Sequence, residues 1–148
     1  MRHTFISFLG LSGFLAASVF AQQAAKPNFS GTWRLDAEKS QVHSGKAAVR
    51  SVAIEQKDSS IHITRKLKAA DGTESTVEIT CTTDGKDCEG KAGKASFFFD
   101  GPALIEMDVS DDQISRTIMT LDDKHTICAS VSYIFPKADS DALVFDKQ

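Results

Sequence analysis

Two arginines interrupt apolar rows in this chain. Arg65 lies in phase with Ile61, Ile63 and Leu67, while His62, Thr64, Lys66 and Lys68 occupy the alternate positions. Arg116 lies in phase with Ile114 and Ile118. In an extended chain alternate residues share a face, so each arginine belongs to an otherwise hydrophobic surface. If those surfaces point inward, two guanidinium groups enter an apolar interior. Their planar forks match a carboxylate or phosphate, and an acidic lipophile would satisfy both the charge and the walls. The alternative is that the arginines sit at a mouth or pair with internal acids, because long cationic side chains reach water from apolar faces. Ile105 and Met107, in phase with Val109, supply a further apolar face. The expected ligand-binding set is therefore Arg65, Arg116, Ile61, Ile63, Ile105, Met107, Ile114 and Ile118.

Other chemistry has no support in the residue pattern. His43, His62 and His125 stand at no metal-ligand spacing with another His or Cys. No nucleophile elbow, zinc-protease helix motif or phosphate-cradling loop occurs. The sequence predicts a non-catalytic protein with no metal and no cofactor.

The elements that must position these residues are short strands. Gly31–Leu35, Val49–Lys57, a run through Ile61 to Leu67, and Thr73–Thr82 all alternate or carry strand-forming residues. A short strand before Gly90 follows, then Lys94–Phe99, Ala103–Val109, Ile114–Leu121, His125–Phe135 and Ala142–Phe145. Asp71-Gly72 and Asp84-Gly85 read as hairpin turns. No helical period long enough for parallel crossovers appears. The expected fold is all-β, an antiparallel up-and-down barrel of about eight to ten strands, whose interior is either filled with side chains or holds one small ligand. Asp36–Ala47, with Ser44-Gly45-Lys46, reads as a loop: a flap at the barrel mouth or a solvated connection.

The chain begins with a basic Arg2-His3 pair, an apolar run from Phe5 to Leu15 and a Val19-Phe20-Ala21 cleavage pattern. That run is too short for a bilayer anchor and reads as a signal peptide over residues 1–21. A leader over 22–28, expected to be mobile, and a single domain over 29–148 follow. The formal net charge is −3, with no basic stripe, which argues against a nucleic-acid partner. Export permits disulfides, and Cys81 and Cys88 flank an expected turn that would bring the sulfurs together. Cys128 is then left over and is expected to be a small buried side chain, a bridge to one of the other two cysteines being the alternative. A secreted or periplasmic location follows, with no membrane anchor after cleavage.

The run Phe29-Ser30-Gly31-Thr32-Trp33-Arg34-Leu35 resembles the opening strand of the calycins, the lipocalins and cytosolic fatty-acid-binding proteins. The later pattern, with Asp-Gly at positions 71, 84 and 100 and the ending Leu143-Val144-Phe145-Asp146-Lys147, resembles a group of secreted bacterial lipocalin-like proteins. The resemblance implies structural roles for Gly31 and Trp33, with the indole closing one end of the barrel. It also implies a small lipophilic ligand as partner. Several family features are missing: Thr83-Asp84 is followed by Gly85 rather than tyrosine, and Tyr133 lacks an arginine two residues before it. Residues 36–47 are too short for the two helices of the fatty-acid-binding proteins. Two other roles remain open on this scaffold. One is a periplasmic protease inhibitor that uses residues 22–28 as an inserted leader. The other is an envelope structural protein with a filled barrel.

Overall fold

The computed structural model describes residues 25–46, 48–90 and 93–148. The expected signal peptide and residues 22–24 of the leader lie outside that range. Ten strands follow one another: β1 Gly31–Leu35, β2 Ala48–Lys57, β3 Ser60–Lys68, β4 Glu74–Thr82, β5 Asp84–Glu89, β6 Gly93–Asp100, β7 Ala103–Ser110, β8 Ile114–Leu121, β9 Thr126–Phe135 and β10 Ala138–Lys147. Every pairing is antiparallel, and the sheet runs β4-β3-β2-β1-β10-β9-β8-β7-β6-β5. β1 pairs with β2 on one side and β10 on the other, which joins the first and last strands and curls the meander into a nearly closed barrel.

One seam is left. β4 and β5 end the order and share no ladder. The sequence predicts a hairpin turn at Asp84-Gly85; instead these residues open β5, whose partner is β6. The Cys81–Cys88 disulfide spans the seam, with Cα atoms 5.5 Å apart. The pairing agrees with expectation, but the bond joins two sheet edges where hydrogen bonds are missing rather than closing a hairpin. Cys128 departs from expectation: it is unpaired and exposed on the outer face of β9.

The lower half of the barrel is solid. Trp33, Phe29, Ile54, Ile61, Ile63 and Phe97 are each at most 2% exposed. The Trp33 indole Nε1–H donates to the Phe29 carbonyl at 2.9 Å, which ties the segment before β1 under the floor. Lys147 Nζ lies 5.3 Å from the Trp33 ring centroid and covers the indole from outside. Gly31 has φ of +145°, and a Cβ there would sit 3.0 Å from Lys147 Cε, so the G-x-W spacing serves this closure. At the same end Gln56 Nε2 donates to the Pro27 carbonyl at 3.2 Å, and Lys26 Nζ stands 5.2 Å from the Phe99 ring centroid.

Strands β7 and β8 present the opposite face from the one expected. Leu104, Glu106 and Asp108 of β7, with Ser115, Thr117 and Met119 of β8, point inward. Ile105, Met107, Ile114, Arg116 and Ile118 therefore lie on the outer face. A shift of one residue exchanges the two faces of a strand, and the more apolar set is here the outer one. Ile105 is still only 6% exposed, because it stands in cross-strand register with Phe98 and Ile118, which cover it from outside. Of the Phe97-Phe98-Phe99 run, Phe97 is fully buried inside and Phe98 is 37% exposed outside.

Candidate functional site

Above the solid half, the interior opens into a cavity of about 430 Å³. Its apolar walls are Val52 of β2, Leu67 of β3, Met119 of β8, Val131 of β9 and Leu143 of β10. The polar residues that line it include Arg65, Glu106, Asp108, Ser115, Tyr133 and Asp141. A second space of about 230 Å³ adjoins it at the upper end of the seam, between Val77 and Ile79 of β4 and Gly93 and Lys94 of β6. The two spaces share Arg65, Leu67 and Asp108. A Cβ on Gly93 would fall 2.2 Å from the Val109 carbonyl, so glycine there allows β6 and β7 to approach closely at the rim.

Arg65 and Glu106 meet across the barrel. Arg65 Nη2 donates to Glu106 Oε2 at 2.5 Å, from β3 to β7. Burial opposes the charge on Arg65, but attraction to Glu106, their hydrogen bond and the nearby Asp108 outweigh it and raise its pKa. The Glu106 side chain is 1% exposed, and its second oxygen, Oε1, has no hydrogen-bond partner among the described residues. Asp108 stands two residues further along β7. Burial, and then the adjacent Glu106 charge, push its pKa up to about 7, with Arg65 pulling the other way.

Asp141 organises the mouth. It accepts from His43 N at 2.7 Å, Ser44 N at 2.9 Å, Ser44 Oγ at 2.6 Å and Tyr133 Oη at 3.1 Å. Burial opposes its charge, but the Ser44 and His43 donors and the Tyr133 hydroxyl hold its pKa below the usual carboxylate value. Burial, and then the Asp141 charge, raise the Tyr133 phenol. A Gln41–Ala142 bridge fixes the same segment to β10. Residues 36–46 are thus tied across the barrel opening, where Val42 and Lys46 line the cavity. This matches the flap reading of that loop.

The predicted site residues divide into three groups. Arg65 lines the cavity, paired with an internal acid. Ile61 and Ile63 point inward but are packed into the solid half. Arg116, Ile105, Met107, Ile114 and Ile118 lie outside, for the register reason given above. Sequence reasoning missed Glu106, Asp108, Tyr133 and Asp141. Alternation assigns acids on an apolar strand to the solvent face, and the remaining signal was weak: Leu104 and Ile105 make β7 apolar on both faces at its start. Among the described residues no group of His, Cys, Asp and Glu is arranged to hold a metal.

No family model matches this chain, and no curated protein matches it. Among solved structures it is similar to the crystal structure of wild-type fluorescent protein UnaG, with a TM-score of 0.60 and 15% identity. The match covers 81% of this chain and 97% of the other. At that identity the likeness is one of fold, and it agrees with the calycin-like barrel implied by the opening strand.

Proposed function

We propose that this chain is an exported, non-catalytic binding protein that encloses one small, largely apolar molecule in the upper half of its barrel. The carrying observation is the cavity of about 430 Å³, bounded below by packed side chains and above by the Asp141-tied loop. Ligand sites are commonly about 300–1,000 Å³, mostly apolar, with a few convergent polar groups. The walls of Val52, Leu67, Met119, Val131 and Leu143 around Arg65, Glu106 and Asp108 fit that description. A disulfide across the seam suits an oxidising compartment and supports the export reading.

The test is titration of the purified, oxidised chain with Nile red, a neutral dye that brightens in apolar surroundings. Saturable one-to-one binding is expected. Ala129→Trp, which fills the cavity from β9, should weaken it at least tenfold without unfolding the protein. Binding that ignores this substitution would place the dye elsewhere and overturn the proposal. Native mass spectrometry of the protein from its own host would then give the mass of the molecule carried.

A further inference from the structure

Resting on that reading, we infer that the cavity selects a lipophilic amine, whose protonated nitrogen meets Glu106 Oε1 and Asp108 while its apolar body lies against Leu67, Met119 and Val131. The argument starts from Glu106. A carboxylate at 1% exposure with one oxygen unpartnered among the described residues leaves strong hydrogen-bonding capacity unmet, on a residue that lines the cavity. The missing partner must be a donor. A carboxylate or phosphate offers acceptors and would face two acids.

The surrounding charges point the same way. Three cations border the connected spaces, and each has a partner within the protein. Arg65 is held by Glu106. Lys94 Nζ lies 3.4 Å from Asp87, and Lys46 Nζ stands 5.9 Å from the Tyr133 ring centroid. Among the acids, Asp141 is occupied by the loop, and Asp112 accepts from Ser110 Oγ at 2.8 Å. Glu106 Oε1 and Asp108 remain. Asp108 is faced by Arg65 from β3 and by Glu106 on its own strand, whereas Lys94 of β6 stands in register with Val109 and belongs to the outer face. An ammonium placed between Glu106 and Asp108 would favour the ionised form of Asp108. The raised pKa of Asp108 then makes amine affinity depend on pH near neutrality.

The experiment displaces bound Nile red from the full oxidised protein with three compounds of one shape: 4-phenylbutylamine, 4-phenylbutanol and 4-phenylbutyrate. At pH 8 the amine should bind at least tenfold tighter than the carboxylate, with the alcohol between them. The amine's advantage should shrink by pH 5.5, as Asp108 takes up a proton. Asp108→Asn, which keeps the Arg65–Glu106 pair, should weaken amine binding and flatten its pH dependence. Glu106→Gln, which leaves Arg65 unpaired, should reverse the order and favour the carboxylate. A carboxylate that binds as tightly as the amine to the unmodified protein, with the dye still seated in the cavity, would overturn this inference and leave the binding reading intact. Failure of the dye to bind would remove the reading beneath it.

Discussion

The lower and upper halves of the barrel are made by the same ten strands, yet they differ in what fills them. Below, β3 places Ile61 and Ile63 in the same packed apolar cluster as Trp33 and Phe97. One turn of alternation higher, the same strand places Arg65 opposite Glu106, and the packing stops. The closed half supplies stability, and the open half bears the cost of buried charge. A buried ion pair contributes little net stability, and a buried carboxylate oxygen without a partner among the described residues, as at Glu106, is a penalty. On the proposed function, that division accounts for the acids inside: they serve the binding site rather than the core.

The comparison is broken most severely by cutting into the closed half. Phe97→Ala should cost about 3–5 kcal/mol in urea denaturation, since the cavity it leaves is enclosed by packed side chains. Val131→Ala, on the wall of the existing cavity, should cost less than half as much. Equal losses would mean that the two halves are packed alike. Next in size is the seam. The Cys81–Cys88 bond closes a short loop, with a sequence separation of 7. Replacing both cysteines by alanine should cost about 2–3 kcal/mol on the chain-entropy account, with faster hydrogen exchange confined first to β4 and β5.

The mouth should respond more locally. Asp141→Asn weakens charge-assisted bonds to His43, Ser44 and Tyr133 and should free residues 36–46, raising the dye's dissociation rate by about tenfold for a loss of roughly 1.4 kcal/mol. The pH dependence has a definite sign. The folded-state pKa of Asp141 lies below the unfolded value, so its contribution is complete above the ordinary value of 3.8 and disappears as pH falls through the depressed one. Acid unfolding of the Asp141→Asn variant should therefore begin from a lower stability but show a shallower decline. The smallest effect is expected at Arg116. On the outer face of β8, Arg116→Met should change stability by no more than about 0.5 kcal/mol and leave dye affinity unchanged. Arg65→Met strands Glu106 and should alter both.

Much of this architecture was legible in the residues. Strand positions followed from alternation and from turn residues, and Gly31-x-Trp33 marked the closed end. The Cys81–Cys88 pair and the mouth position of residues 36–46 were also within reach. The faces of β7 and β8 were not. Alternation locates two faces without saying which one is inside, and the usual rule that the apolar face goes inward fails where a barrel keeps a polar cavity. Ile105 and Ile118 could leave the interior because Phe98 meets them in register on the outside. Asp141, about a hundred residues from the loop it holds, gives no local signal at all.

The most direct test of the central claim is an amide and methyl NMR map of the protein with and without Nile red. Shifts should concentrate on Val52, Leu67, Glu106, Met119 and Val131 and leave Trp33, Ile61 and Phe97 unmoved. Shifts on the outer row of Phe98, Ile105 and Ile118, with the interior unchanged, would contradict the account.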